Sequence, residues 1–350
     1  MIQGQSKTEA NYRAIQTDSS SSLKDFSMDR KKYYKKYVLR ETVEEKENQA
    51  VTIGKLVETL LLEPEQFDNR FYMSACANPP TGLMLEFVEA LYRCTKEATD
   101  DFGIVTRSFE ELTKDAYIES GFKIKIEQVV GKFLGSDAEI YYNEIRKVRS
   151  QNLIVVNTND INNAEKIVHE LRNNAVTKDV LNLVSDVRYT VLNQFQIDEY
   201  FVCNHAFKSM IDIVIIDHEE MTITPYDLKC TWSVENFCEE YYLYRRAYIQ
   251  AYLYWKAMES FVINPKSKWH GYVVNFTRFI VCDSTNYYNP LIYQLTNKDV
   301  DDAYFGFEHK GRRYPGVEET IMDLDWALKE GVWNISRRNY ENGGVVNIRG

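Results

Sequence analysis

Long hydrophobic runs are missing from this chain of 350 residues. It contains no stretch of roughly 18 apolar residues, the length that a membrane-spanning helix needs. The first residues, MIQGQSKTEANYRAIQTDSSSS, also lack the apolar core of a signal peptide. We therefore expect a cytoplasmic protein with no membrane partner.

Cysteine is scarce and scattered. The six cysteines form no CxxC pair and no cluster with histidine at the spacing of zinc ligands. A disulfide framework and a zinc module are both disfavoured by this spacing. We expect reduced thiols in the core.

Positive charge is in deficit. Lysine and arginine number 42 against 52 acidic residues, which gives a net charge of −10. Because nucleic-acid affinity depends largely on basic side chains that neutralise phosphates, this balance disfavours a protein that binds DNA statically. It is compatible with an enzyme that holds DNA transiently in a metal-loaded cleft, since a local basic groove can coexist with an acidic exterior.

The chain divides into regions of different character. With 44% hydrophobic residues it can bury a sizeable core. Residues 1–19 are polar and predict a flexible arm, and residues 20–350 predict one elaborated domain. Within that domain, residues from about 80 to 185 have helical spacing and predict a helical insertion, interrupted by an extended segment at 153–156.

The pattern changes to strands after residue 186. Runs with β-branched residues and period two predict strands, and a longer apolar segment between them predicts a helix. The predicted strands cover 188–192, 194–202, 210–216, 221–229 and 268–282, and the predicted helix covers 234–258. This order predicts an α/β fold with a mixed central sheet flanked by helices.

A basic and aromatic segment begins near Leu23. The serine run before it offers a helix cap, and its lysines alternate with tyrosines, a mixture that can grip a phosphate backbone and stack on bases. Ser22, Lys24, Lys31 and Lys32 are candidate DNA contacts. An amphipathic helix whose tyrosines pack inward explains the pattern equally well.

One face of the predicted hairpin carries charged groups. Asp212 lies in the apolar strand MIDIVII, where an unpaired carboxylate would be costly to bury. In the returning strand, PYDLK places Asp227 and Lys229 two residues apart and therefore on one face. Two carboxylates can hold Mg²⁺ or Mn²⁺, and a lysine beside them can orient water or stabilise developing charge during phosphodiester hydrolysis. A surface salt bridge would give the same spacing.

Three further segments resemble one superfamily. YIQAYLYWKAM contains the QxxxY element, at Gln250 and Tyr254, that follows the catalytic hairpin of RecB-like nucleases. IGKLVETLLLEPEQFDNRF and SSSLKDFSMDRKKYYKKY are similar to segments of the RecE-type phage exonucleases, and all the blocks occur in the family's order. The chain thus resembles the PD-(D/E)XK nuclease superfamily. The resemblance implies that Asp212, Asp227, Lys229, Gln250 and Tyr254 are catalytic.

The resemblance also implies a set of metal ligands, with one departure. Asp212, Asp227 and Leu228, which can offer only its main-chain carbonyl, match the family's ligands. The family has histidine four residues after a glycine, whereas here Gly54 is followed at that position by Glu58. A glutamate oxygen suits Mg²⁺ or Mn²⁺ at least as well as imidazole, so Glu58 is a candidate ligand. The alternative is a solvated helix residue.

Two further positions are less defined. The family tends to carry an acidic residue on the strand before the hairpin, and here Gln196, Asp198 or Glu199 could fill that position, with Glu199 first. Arg245 and Arg246, one turn before Gln250, could contact phosphates or simply face solvent.

The resemblance implies an exonuclease acting on double-stranded DNA ends in phage recombination or DNA processing. It further implies a single-strand annealing protein as partner and a ring-shaped homo-oligomer. An iron–sulfur cluster is not expected, because only Cys282 follows the QxxxY helix. A same-fold endonuclease or repair nuclease is the first alternative. A non-catalytic DNA-binding or structural phage protein is the second.

Overall fold

The polypeptide folds into fifteen helices and eleven strands over residues 9–41, 49–285 and 289–346, which are the residues described in this computed structural model. The helices are α1 (Glu9–Ala14), α2 (Ser20–Met28), α3 (Arg30–Tyr33), α4 (Gln49–Leu62), α5 (Phe67–Arg70), α6 (Gly82–Glu97), α7 (Phe109–Ser120), α8 (Ile126–Phe133), α9 (Asp137–Gln151), α10 (Thr158–Asn173), α11 (Lys178–Leu181), α12 (Ala247–Ile263), α13 (Asn297–Phe305), α14 (Val317–Glu330) and α15 (Arg337–Glu341). The strands are β1 (Asp18–Ser19), β2 (Phe71–Met73), β3 (Ile154–Val156), β4 (Tyr189–Val202), β5 (His205–Asp217), β6 (Thr222–Thr231), β7 (Val273–Val274), β8 (Arg278–Asp283), β9 (Leu291–Gln294), β10 (Gly306–His309) and β11 (Arg312–Pro315).

A mixed sheet forms the centre of the larger of two compact units. β5 pairs antiparallel with both β4 and β6, while β1 runs parallel to β5. β6 continues into the parallel strands β7 and β8, and β9 pairs antiparallel with β8. Helices α2 and α12 pack against this sheet. The predicted α/β fold with a mixed central sheet flanked by helices is confirmed.

The smaller unit spans residues 64–162 and has its own core. Helices α6, α7, α8 and α9 bury aromatic and aliphatic side chains against one another. The insertion expected at about 80–185 therefore starts earlier and ends earlier. Residues 163–185 belong to the larger unit, where Asn163 donates to the Ser284 carbonyl at 3.1 Å and Arg172 donates to the Leu61 carbonyl at 3.1 Å.

The N-terminal segment differs from the flexible arm expected for residues 1–19. Residues 9–19 form α1 and β1, whereas residues 1–8 lie outside the described part of the chain. The buried ammonium of Lys208 on β5 donates to the carbonyls of Tyr12, Arg13 and Ile15 at 3.0, 3.3 and 2.7 Å. A lysine that is distant in the sequence donates hydrogen bonds to the carbonyls at the end of this short helix. The sequence of residues 9–19 alone therefore did not indicate that the segment is ordered.

The helix predicted over 234–258 is broken. Arg246 adopts a left-handed conformation with φ of 55°, and α12 begins at the next residue. A short turn and a π-helical segment, Cys238–Tyr244, precede it. α12 is apolar nearly all round and buried on most of its faces, as expected of a helix enclosed by a core. The break brings Gln250 and Tyr254 onto a helix that starts beside the sheet.

No helix within the described ranges is both long enough and apolar enough to cross a lipid bilayer. The six cysteines are all free thiols.

Candidate active site

The site forms where the β5–β6 ladder ends. The last paired residues of this ladder are Ile213 and Tyr226, and beyond them the two strands no longer exchange main-chain hydrogen bonds. The carboxylate of Asp212 takes over this role, because its Oδ2 accepts from the main-chain N–H of Leu228 at 2.7 Å. Asp212 and Asp227 are the first residues beyond the β5–β6 ladder on their strands, and they therefore lie side by side.

Side chains from three elements converge on Asp227. This residue is 1% exposed. Its Oδ1 accepts from Gln250 Nε2 on α12 at 2.7 Å, and its Oδ2 contacts the Lys229 ammonium on the same strand. Gln250 Nε2 also donates to the Tyr254 hydroxyl at 2.9 Å, while Gln250 Oε1 accepts from Lys24 Nζ on α2 at 2.9 Å. All five sequence-predicted catalytic residues therefore meet at one place, together with Lys24.

Glu58 lies on the α4 face that packs toward β6 and approaches the same cluster. It is half-buried, and its Oε1 accepts from Gln194 Nε2 at 2.7 Å. Its charge acts on Asp212, since it contributes to the raised pKa of that residue. Glu58 is therefore not the solvated helix residue of the alternative interpretation.

Gln194 is a site residue that the sequence analysis missed. Glu199, the first of the three candidates on β4, is exposed, and Gln196 and Asp198 are half-buried. These three residues are not the ones that face Asp212, because a bulge between Ile197 and Tyr200 shifts the pairing of β4 with β5 by one residue. After this shift Gln194 lies opposite Asp212, between the pairs Asn193–Ile213 and Phe195–Ile211. A polar residue in a buried strand was the available signal.

Burial has the largest effect on the pKa of Asp212, and repulsion from neighbouring carboxylates adds to it. Burial raises its pKa well above the ordinary aspartate value, and the charges of Asp227 and Glu58 raise it further. The Lys229 charge and the Leu228 N–H work in the opposite direction without cancelling this effect. A cation placed among these carboxylates would relieve the repulsion.

The pKa values of the two lysines of the site shift in opposite directions. Burial disfavours the Lys229 ammonium, but the charges of Asp227 and Asp212 outweigh burial and raise its pKa. Burial and the neighbouring Lys229 charge lower the pKa of Lys24 to about 8. Tyr254 has a pKa well above its ordinary value because it is buried and faces the two aspartates, so its hydroxyl remains neutral.

The carboxylate oxygens of the site suit a hard divalent cation, although they are not arranged to surround one. Among the described residues, no group of three or more His, Cys, Asp or Glu side chains is arranged to hold a metal ion. Asp227 Oδ2 is buried and accepts no hydrogen bond from any described group, and its contact is the Lys229 ammonium. Carboxylate oxygens are the ligands that Mg²⁺ and Mn²⁺ prefer. A metal ion would therefore compete with Lys229 for this oxygen.

A cavity of about 760 Å³ opens from the cluster. Asp212 and Tyr254 lie on its wall, and serines 19–22 form another part of it. The lining also includes Arg13, Lys36, Arg40 and Lys208, against two carboxylates, Asp18 and Asp212. The cavity wall is therefore net positive in a chain of net charge −10.

The predicted DNA contacts of the N-terminal segment are dispersed. Lys24 lies in the cluster, and Lys32 pairs with Asp25 at 2.9 Å, whereas Lys31 is exposed. The Ser22 hydroxyl is buried and donates to Asp18 Oδ1 at 2.7 Å.

The tyrosines of that segment pack inward. Tyr33 donates from its hydroxyl to Asp18 and stacks on Trp333 at 5.9 Å, and Tyr34 stacks on the same ring at 4.9 Å. This packing favours the interpretation of an amphipathic segment over a base-stacking surface. Arg245 is exposed and lies over the Tyr241 ring at 4.4 Å, while Arg246 is buried away from solvent.

Comparisons with known proteins give little that bears on identity. No protein-family model matches the chain, and no curated protein matches it. A solved structure from Eubacterium rectale, named "Putative exonuclease", is similar over 99% of this chain and 89% of its own, with 12% sequence identity and a TM-score of 0.46.

Proposed function

We propose that this protein is a divalent-metal-dependent deoxyribonuclease of the PD-(D/E)XK class that hydrolyses DNA phosphodiester bonds. The observation that carries the proposal is the burial of Asp227 within the charged cluster. A surface salt bridge would be exposed, whereas Asp227 is 1% exposed and takes its partners from β6 and α12. Holding a buried Asp227 beside a half-buried Asp212 and Lys229 without a use for them would be unfavourable.

The metal ligands follow from this cluster. Asp212, Asp227, Glu58 and the Leu228 carbonyl would hold Mg²⁺ or Mn²⁺. When bound, the ion would supply positive charge to polarise the phosphate and to lower the pKa of a water molecule. Gln194 holds Glu58 in place through its amide hydrogen bond.

The remaining residues position the carboxylates and the substrate. Lys229 keeps its charge, because the carboxylates raise its pKa, and so it can orient the attacking water or stabilise negative charge on the phosphate. Gln250 fixes the Asp227 carboxylate, and Lys24 fixes the orientation of the Gln250 amide. The net-positive cavity beside Asp212 provides space for a DNA strand.

The finer proposal comes from the sequence resemblance. It is exonucleolytic attack on double-stranded ends, with a single-strand annealing protein as partner and a homo-oligomeric assembly. The test uses labelled linear and covalently closed circular duplexes with Mg²⁺, Mn²⁺ or EDTA. We expect the linear duplex to be degraded with either metal and not in EDTA, while the circle persists. Cleavage of the circle would indicate an endonuclease, and two intact substrates in the presence of metal would favour the non-catalytic alternative.

A further inference from the structure

A second cavity, of about 330 Å³, lies apart from the acidic cluster. Its wall is formed by α2, α3, β11, α14, α15 and the residue that precedes α12. The lining residues are Phe26, Ser27, Arg30, Arg246, Arg313, Pro315, Glu319, Thr320, Asp323, Ser336, Arg338 and Asn339. A volume of a few hundred Å³ is typical of pockets for small ligands.

Positive charge is in excess in this cavity. Four arginines face two carboxylates, so the lining carries a net charge of +2. Arg30 is paired with Asp323 at 2.5 Å and Arg313 with Glu319 at 2.7 Å.

The other two arginines, Arg246 and Arg338, form no ion pair with any residue that the structure describes. Two guanidinium charges therefore have no counter-ion among the described residues.

Two donors of this cavity are buried without a matching acceptor among the described residues. Arg246 is 8% exposed, and among the described residues its side chain donates one hydrogen bond, to the Tyr248 hydroxyl at 3.1 Å. A guanidinium has five N–H groups. In the same wall, Arg30 Nε and Ser27 Oγ are buried and have no hydrogen-bond partner within the described residues. Buried polar groups are rarely left unpaired unless a ligand or water completes them.

We propose that this cavity binds a phosphate group. Planar guanidinium groups match phosphate oxygens with two parallel hydrogen bonds, which makes arginine the preferred residue for such recognition. Ser27 adds a neutral donor beside them.

The same chemistry has two possible sources, free phosphate and the backbone of a nucleic acid. The nucleic-acid source rests on the function proposed above: Arg246 precedes Gln250 by one turn at the start of α12, and Ser27 follows Lys24 by about one turn on α2. A strand reaching the acidic cluster could therefore place another phosphate in this cavity.

The test compares Arg338→Gln and Arg246→Gln with Arg337→Gln. Arg337 is a matched control, because it neighbours Arg338 on α15 but is paired with Glu341 at 2.7 Å and does not line the cavity. Thermal stability is measured against sodium phosphate at constant ionic strength, without divalent metal. We expect saturable stabilisation of the wild type and of the control, and an apparent affinity about tenfold weaker in Arg338→Gln, as for the loss of one charge-assisted hydrogen bond.

A second measurement identifies the source. Binding of an unphosphorylated fluorescent oligonucleotide is followed across salt concentrations in EDTA, so that cleavage does not enter. If the backbone is the ligand, the salt slope should fall by about 1 in Arg338→Gln and not in the control.

The outcomes separate as follows. A selective loss of phosphate stabilisation identifies free phosphate, and a selective loss of salt slope identifies the nucleic acid. Equal behaviour of Arg338→Gln and Arg337→Gln in both assays would overturn the proposal. Arg338 is exposed and suits the test if Arg246→Gln does not fold.

Discussion

At the scale of single residues, three carboxylates of the site lie close enough to repel one another. Burial raises the pKa of Asp212, the charges of Asp227 and Glu58 raise it further, and the Lys229 ammonium only partly offsets these effects. Such a cluster is unfavourable in the absence of a cation and becomes favourable when one binds. Each member should therefore affect metal binding and catalysis differently.

Glu58 stands at the position where the RecE-type nucleases that the sequence resembles carry histidine, so its substitution tests the proposed metal site. Glu58→Gln should weaken Mg²⁺ and Mn²⁺ activation, because a neutral amide oxygen replaces a charged one on a hard cation. Glu58→His introduces the histidine of the RecE-type nucleases that the sequence resembles, and it should keep activity with a shift toward Mn²⁺, which accepts imidazole more readily than Mg²⁺ does. The measurement is the metal activation curve of each variant, with the exposed Glu65→Gln as control. Curves for Glu58→Gln that superimpose on wild type would remove Glu58 from the site.

Lys229 separates metal binding from catalysis. Its ammonium contacts Asp227 Oδ2 and competes there with a divalent ion. Lys229→Ala should lower the cleavage rate by about 100-fold or more, as for the loss of a charge-stabilising group. It should bind Mn²⁺ at least as tightly as wild type by calorimetry. Weaker Mn²⁺ binding in this variant would contradict a lysine that acts on water or phosphate.

At the scale of elements, a histidine joins the N-terminal segment to the sheet. His205 at the start of β5 contacts Asp18 on β1 at 2.9 Å and Asp325 on α14 at 2.7 Å. Burial opposes protonation of the imidazole, but the hydrogen bonds to Asp18 and Asp325 outweigh burial and raise its pKa. Asp18 has a lowered pKa because His205, Ser22 and Tyr33 stabilise its charge against the opposing effect of burial.

This arrangement predicts a pH-dependent stability. A raised histidine pKa stabilises the fold fully below the unfolded value, about 6.5, and the contribution is lost as pH rises through the folded pKa. The difference in unfolding free energy between wild type and His205→Gln should therefore be largest near pH 6 and decrease on the alkaline side. Urea unfolding across that range measures it, with His169→Gln as the exposed control. A difference that does not change with pH would disprove a charged His205.

Some elements of the fold could be predicted from sequence patterns, and others could not. The β5–β6 hairpin and the cap of α2 follow from alternation and from the serine run, and they are found where expected. Gln194 could not be found this way, because its place opposite Asp212 depends on a one-residue bulge in β4. The break at Arg246 was also hidden, since an arginine with φ of 55° has no distinctive local pattern.

At the scale of the whole molecule, charge is unevenly distributed. The chain carries a net charge of −10, yet both cavities described above have net-positive walls. Composition therefore disfavoured DNA binding only on average, because the sequence does not reveal which charges share a surface. The end expected for the insertion, about residue 185, also differs from the end of the smaller unit at residue 162. Residues 137–151 and α10 both have helical spacing, so the sequence does not show that residues 163–173 belong to the larger unit.

Asp227→Asn tests whether the charged cluster around Asp227 hydrolyses DNA, as proposed. Asparagine has the same shape and can still accept the hydrogen bond from Gln250, so the fold should be retained while one charged metal-facing oxygen is lost. The measurement is nucleotide release from a linear duplex with Mg²⁺ or Mn²⁺, beside the wild type and the exposed control Asp301→Asn. We predict that Asp227→Asn releases nucleotides at least about 100-fold more slowly than both. Release by Asp227→Asn at the rate of the control would contradict this assignment of the active site.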